Sequence, residues 1–489
     1  MIWLAKINEF ARNAGFLFLM RLMNTETMSQ DASLLITGAD AIVTMNAAGD
    51  VLRNGYFAVK NGRIEAIGVM PDPPDGLRRF YDQHYTIMRA DGKVILPGLI
   101  NTHHHLYQTL TRAYPPVMNA GLFAWLTGLY PIWARLDEEA IRLSALVGMA
   151  ELMLSGCATT TDHHYVFPQG VGGELIDVQI RAAAELGMRF HPCRGSMNLS
   201  RKDGGLPPDS VVQTADAILR DSERLIKKYH NPAPGAMIRI AFAPCSPFSV
   251  TTDLMKQTAI LAQETGARLH THLAETLDEE AFCVERFGRR PVDYLEEVGW
   301  LHDRVWLAHG IHFNAAEIAR LGKAGVGVAH CPNSNMRLGS GIAKITALRQ
   351  AGSPVGIAVD GSASNDASHM LAEVRQAMLL ARLARGADSM TVMDALRMAT
   401  LGGAACLGRN DIGSLEIGNA ADAAIFSLDE IGYSGAGDPV GALLLCQPGR
   451  VDTLMIQGRI VVEQGQLTTI DLPPILEAHR RKARAIQQQ

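Results

Sequence analysis

The stretch ILPGLINTHHH, residues 95–105, decides the fold. An apolar run of strand length stops abruptly at three imidazoles, so the strand's far end opens onto polar chemistry. Side chains alternate along a strand, which places His103 and His105 on one face and His104 on the other. Two imidazoles on one face suit a single ion, and His104 reads as a packing residue. The same passage from apolar run to polar end recurs in CATTTDHH (157–164), MRFHPCRGS (188–196), IRIAFAPCS (238–246) and ARLHTHLAE (267–275). It recurs again in RVWLAHGIH (304–312), VGVAHCPNSN (326–335) and PVGIAVDGSASN (354–365). Helix-length segments separate these runs. Eight such units predict an α/β fold, a distorted (β/α)8 barrel over 97–405, with its chemistry assembled at the C-terminal strand ends.

Outside that span the pattern changes. LLITGADAIVTMN (34–46) and GYFAVKNGRIEAIG (55–68) are short strand patterns, the second holding the hairpin signal Asn61-Gly62. DAAIFSL (422–428) and VDTLMIQGRIVVEQGQL (451–467) repeat the pattern near the other end, with a turn at Gly458. Segments 34–96 and 406–470 are expected to pair into one small β-sandwich domain, since exposed edge strands otherwise need covering. Residues 471–489 read as a helical tail whose HRRKAR cluster is a solvated face. Residues 1–33 are set aside as an extension. They are too charged to span a bilayer and lack a small-residue cleavage site. Met20, Met23, Met28 and Met45 make an upstream start-codon overcall the rival to a genuine amphipathic extension.

The 489 residues, 47% hydrophobic and 19% charged, are those of a globular enzyme rather than a disordered chain. A net charge of −5 favours neither nucleic acid nor an anionic membrane as partner. The seven cysteines are scattered without a CxxC pair, which points to reduced thiols in the cytoplasm.

His272 ends the fifth run with Glu275 three residues on, His309 ends the sixth, and Asp360 the eighth. A lone histidine is more often a satisfied polar residue, the better reading for His84, His230 and His479. Several ligand-type residues at successive barrel ends are another matter. Imidazoles with one carboxylate suit one borderline divalent ion, Zn²⁺ by default, although Fe²⁺ and Mn²⁺ accept the same ligands. Such an ion lowers the pKa of water toward neutrality.

From about Leu34 to Leu467 the chain resembles the amidohydrolase superfamily in its aminohydrolase branch, on PGLINTHHH, HLAE, AHG, HCPNSN and VDGSASND. The resemblance implies metal ligation by His103, His105, His272 and Asp360. It implies that Glu275 shuttles a proton to a ring nitrogen, that His309 steadies the attacking water, and that Asp360 relays a proton to the departing amine. It also implies a homo-oligomer. Binuclear members place a carboxylated lysine at the fourth strand end. IRIAFAPCSPFS has none, and Lys256 lies in the next segment, so a single metal is expected. A hydrolase of cyclic amides would need that lysine, and a non-catalytic relative would have lost ligands that are all present.

For substrate, Tyr107 and Gln108 follow the metal pair, and an amide can read both a donor and an acceptor. GLFAWLTGLYPIWARL carries Trp125, Tyr130 and Trp133, which either stack on a flat heterocycle or fill the core; Trp133 is taken as the contact. Arg194 is placed to donate to a purine carbonyl, with a structural ion pair as its alternative. His163 and His164 are pocket candidates, of which His164 is taken, and Asn333 of HCPNSN completes the set. NAGLFAWLTGLYPIWARL, TTTDHHYVFP and CRGSMNLS resemble the 8-oxoguanine deaminases, implying a small heterocyclic substrate, with urate and ammonia as products. Triazine aminohydrolases of the hydroxyatrazine type are the runner-up, ahead of guanine and isoguanine deaminases.

Overall fold

The eight apolar runs pair in chain order. The computed structural model describes residues 33–71, 74–172, 174–446 and 448–488, so the extension expected over 1–33 lies outside the described residues except for Ser33. Parallel strands run at Leu99–Asn101, Cys157–His164, Arg189–Ser196 and Ala241–Pro244, then at Arg268–Leu273, Val305–His309, Gly327–His330 and Val355–Ile357. Each is hydrogen-bonded to its sequence neighbours. The ring closes where Thr102 N donates to Ile357 O at 3.1 Å and Asp360 N to His103 O at 3.2 Å. The first and last strands are only three residues long, so the seam is the distorted part of the barrel.

The barrel is filled with side chains. Trp306, fully buried, stacks on His270 at 4.3 Å and gives its indole N–H to Thr102 O. Leu, Val and Phe side chains buried between strands and helices contribute roughly 1.5–3 kcal/mol each. The outer helices start where the sequence supplies a cap: Asp137, Thr214, Thr251, Thr276 and Asn314 each accept a first-turn backbone N–H.

The two terminal blocks form two packed sheets. Lys93–Pro97 pairs antiparallel with Ala423–Ser427, joining both ends of the chain in one sheet of seven strands. A second sheet of four strands includes Leu34–Ala39 and Gly55–Lys60. Ile36, Phe57, Ile95 and Ile425 meet in the core between them. The tight turns Asn61-Gly62 and Gln457-Gly458 take left-handed φ at both positions, the type I′ geometry whose twist matches paired strands. At the barrel's N-terminal end, Arg189 grips Asp422 with two bonds of 3.0 Å and so ties the barrel to this sheet.

Helix Leu472–Gln487 docks by one face and keeps Arg480, Arg481 and Arg484 of the HRRKAR cluster exposed, the solvated face expected. Lys482 pairs with Asp137 and Glu139, His479 meets Thr109 Oγ1 at 3.0 Å, and Gln487 donates to Leu110 O. His479 and Gln487 thus reach the segment after the first strand, and Lys482 the start of helix Glu138–Leu154. Among the described residues, no helix is long and apolar enough to cross a membrane.

Candidate active site

At the C-terminal mouth of the barrel, three imidazoles and one carboxylate converge. His103 Nε2 and His105 Nε2 lie 3.3 and 3.4 Å from Asp360 Oδ1, and His105 Nε2 lies 3.1 Å from His272 Nε2. The tautomers follow from the far side of each ring. His105 Nδ1 donates to His163 O at 2.8 Å and His272 Nδ1 to Cys245 O at 2.7 Å. His270 Nδ1 donates to Trp306 O at 2.8 Å, which leaves its Nε2 to accept from His103 Nδ1 at 2.7 Å. All three ligand-type rings therefore turn a bare Nε2 lone pair inward, toward one another and toward a carboxylate. Burial holds all three imidazole pKa values down, so they remain neutral. Electron-rich atoms this close, with no proton between them, fit a bound cation. An N₃O donor set with room for a further ligand suits one divalent metal.

The acid–base groups stand beside this set. Glu275 Oε2 lies 3.5 Å from His309 Nε2, and Asp360 Oδ2 lies 3.9 Å from the same atom. Burial pushes the Glu275 carboxyl up to about 7. Burial also opposes the His309 imidazolium, but Glu275 and Asp360 outweigh it and its pKa is raised. Burial disfavours the Asp360 carboxylate too, yet the surrounding imidazoles hold it well below the usual range. The loop that presents Glu275 is fixed by Glu279, whose carboxylate accepts from Ala274 N at 2.8 Å and Glu275 N at 2.9 Å. Ala274, His309 and Asp360 all adopt left-handed φ (55°, 71° and 59°), a costly backbone for residues other than glycine that concentrates at functional sites.

A cavity opens on these groups. Gln108, Glu275, Ser246 and Ser364 supply polar lining, while Leu122, Trp125, Leu126 and Phe248 supply apolar lining. Gln108 is fully buried; its Oε1 accepts from Ala363 N, and its Nε2 has no partner among the described residues. The amide fits because residue 361 is glycine: a Cβ there would sit 1.9 Å from Gln108 Oε1. Trp125 ties its helix, Leu122–Trp133, to the eighth loop by donating to Ala363 O at 3.0 Å.

Of the six residues expected to contact substrate, Gln108 alone lines the cavity. Trp133 is corrected: at the end of its helix it is fully buried and donates to Thr111 Oγ1, and Trp125 takes the cavity. Tyr107 packs edge-on against Trp133 and His164, behind the lining. Arg194 is committed to Asp221, Gln213 and the Gly195 carbonyl, and lies over Phe167 at 4.0 Å, so the ion-pair alternative holds. His164 pairs in register with Arg194 on the same side of the sheet, whereas His163, one residue earlier, turns inward and stacks on His272 at 4.8 Å. Asn333 gives its amide to Glu373. His104, the middle imidazole, meets Ser368 Oγ at 3.2 Å.

Four groups escaped the sequence reading. His270, which orients His103, sits two residues before His272 and so on the same strand face, a second H-x-H open to the same alternation argument. Ser334 donates to Asp360 Oδ2 at 2.6 Å, Ser364 to the same oxygen at 3.3 Å, and Asn335 Oδ1 accepts from His309 Nδ1 at 2.9 Å. No strand alternation could have picked these loop residues.

Known proteins resemble the chain over most of its length. A family model described as "Amidohydrolase family" matches residues 94–461, and the chain belongs to that family. It is 54% identical to an 8-oxoguanine deaminase of Pseudomonas aeruginosa, over 88% of this chain and 95% of that protein. It is 40% identical to a hydroxydechloroatrazine ethylaminohydrolase of Pseudomonas sp. strain ADP, over 89% and 92%. Among solved structures, an atrazine chlorohydrolase from Arthrobacter aurescens complexed with zinc superposes with a TM-score of 0.87 at 33% identity, covering 93% of this chain and all of that one. The protein is thus a metal-dependent hydrolase of C–N bonds, a deaminase.

Proposed function

We propose that the protein deaminates 8-oxoguanine to urate and ammonia, using one divalent ion, Zn²⁺, held by His103, His105, His272 and Asp360. The observation that carries the metal assignment is the clustering of three bare Nε2 lone pairs, two of them within 3.4 Å of Asp360 Oδ1 and the third, on His272, 3.1 Å from His105 Nε2. Zinc is supported by the donor set and by the zinc complex of the structural relative. The substrate is supported by the 54% identical relative, by the mixed polar and apolar lining of the cavity and by the unpaired amide of Gln108. The disulfide-free cysteines support a reducing, cytoplasmic setting.

When bound, the ion supplies Lewis acidity that makes water a nucleophile at neutral pH. The chain's own groups then divide the proton work. Glu275, protonated below about 7, delivers a proton to the ring nitrogen beside the amine-bearing carbon and takes one back from the added hydroxyl as the carbonyl forms and ammonia leaves. His309 gives its Nδ1 hydrogen to Asn335, and as the imidazolium that Glu275 and Asp360 favour it donates from Nε2 to the incoming water oxygen. Asp360 Oδ2, on the side facing His309, takes the water's proton and hands it to the leaving amine. Gln108 Nε2 meets a carbonyl of the ring, which orients the base without touching the bond that breaks.

The triazine reading is favoured by the 40% identical ethylaminohydrolase. Turnover of 8-oxoguanine, guanine, isoguanine and hydroxyatrazine by the purified protein separates the readings. A preference for 8-oxoguanine is expected; activity on the triazine without activity on any oxopurine would overturn the substrate.

A further inference from the structure

Glu373 lies in the first turn of helix Met370–Arg385, after the eighth strand, and only 1% of it is exposed. It does not line the cavity, yet its carboxylate joins the two loops that serve Asp360 and His309. Glu373 Oε1 accepts from Asn333 Nδ2 at 2.5 Å and from Asn365 Nδ2 at 2.6 Å, while Oε2 accepts from Asn333 N at 3.3 Å. The asparagines come from different loops. Asn333 immediately precedes Ser334 and Asn335, which bond Asp360 Oδ2 and His309 Nδ1. Asn365 follows Ser364, the other hydroxyl on Asp360, and donates a second bond to Val359 O, at the residue before Asp360.

We propose that Glu373 is a positioning residue for deamination: by gathering Asn333 and Asn365 it locks the seventh and eighth loops together and so aims Asp360 and His309. The inference rests on the assignment of those two residues to the reaction centre. A lock is needed there because both hold left-handed φ, 59° and 71°, a conformation that relaxes unless its surroundings over-determine it. Two of the three hydroxyl and amide groups that determine it, Ser334 and Asn335, sit on a single six-residue helix, Pro332–Arg337, too short to hold its own orientation. Asn333 anchors that helix to Glu373. Burial pushes the Glu373 carboxyl up to about 8, and Oε1, which takes both asparagine amides, accepts whether the group is ionised or carries its proton on Oε2.

A purely stabilising carboxylate and a positioning one differ in what their loss does to the folded, metal-loaded enzyme. Glu373→Ala, Glu373→Gln, Ser334→Ala and the Ala/Ala double variant are compared as holoenzymes on 8-oxoguanine, with Asp360→Asn alongside. Small misplacement of reacting groups costs ~10²-fold, so Glu373→Ala is expected to lose kcat by about that factor, with metal content kept and KM within about threefold. Glu373→Gln keeps Oε1 for both asparagine amides and is expected to restore kcat to within about threefold of the parent. Residues acting in one chain are non-additive, so the double variant is expected within about threefold of Glu373→Ala. Parent-level kcat in Glu373→Ala, equal losses in the alanine and glutamine variants, or multiplying losses in the double variant would each overturn the proposal. If Glu373→Ala does not fold, Asn365→Ala removes one arm only: an unchanged kcat overturns the proposal and a roughly tenfold loss at constant KM supports it. An active Asp360→Asn would defeat the reaction-centre assignment itself. An inert Asp360→Asn beside an unaffected Glu373→Ala defeats this inference alone.

Discussion

Asn335 Oδ1 accepts the Nδ1 hydrogen of His309 at 2.9 Å, while Asn333, two residues earlier on the same short helix, turns its amide away to Glu373. The pair divides one motif into two tasks. Asn335 sets which nitrogen of His309 faces the cavity, and Asn333 anchors the helix that carries Asn335. Replacing Asn335 by alanine frees the ring. Loss of such an orienting partner costs about 10–100-fold in activity, and that fall is expected in kcat with little change in KM. Steady-state kinetics on the metal-loaded variant checks it.

Glu275→Gln removes the transferable proton and keeps the shape of the side chain. Metal content is expected to equal the parent's, because Glu275 is not among the four converging ligands, while kcat falls by roughly 10²–10⁴. Metal analysis and turnover on one sample test both halves.

The pH dependence has a definite sign. Burial disfavours the charged form of Glu275 and places its pKa at about 7. The protonated form is the proton donor, so kcat/KM is expected to fall as pH rises through about 7. A pH profile checks this, and the residual activity of Glu275→Gln is expected to lack the limb.

Gln108→Leu deletes a cavity-lining donor that has no partner among the described residues. A lost hydrogen bond to a buried acceptor costs about 1–3 kcal/mol, so KM is expected to rise roughly ten- to hundredfold. The unliganded protein also loses Oε1, the acceptor of Ala363 N, so urea unfolding is expected to show a loss of about 1–3 kcal/mol as well. Titration of KM and of urea unfolding gives both numbers.

Far from the cavity, Asp422→Ala leaves the buried Arg189 guanidinium without its carboxylate. Breaking a buried pair from one side typically costs about 3–5 kcal/mol, and urea unfolding is expected to show a loss of that order. kcat of the folded fraction is expected to be unchanged, since Arg189 begins its strand at the opposite end of the barrel.

The sequence was legible wherever chemistry is written in local pattern. Strand-length apolar runs ending in His, Cys or Asp located the barrel, and alternation separated His103 and His105 from His104. The same alternation, applied to DHH (162–164) and to HTH (270–272), would have chosen His163 as the inward ring and His270 as the partner of His103. Arg194, Trp133 and Asn333 were illegible for a different reason. Their partners, Asp221, Thr111 and Glu373, lie on segments brought near only by the tertiary fold. Charge and aromaticity alone do not say whether a side chain meets a ligand or a neighbour.

The central claim is a single-metal deaminase of 8-oxoguanine, and one measurement bears on it most directly: metal content, ammonia and urate determined together on purified protein given 8-oxoguanine, before and after chelation. The account predicts one divalent ion per chain, ammonia and urate released in equal amounts, and loss and recovery of turnover as the ion is removed and restored. Undiminished turnover in metal-free protein, or no ammonia from 8-oxoguanine by fully loaded protein, would contradict it.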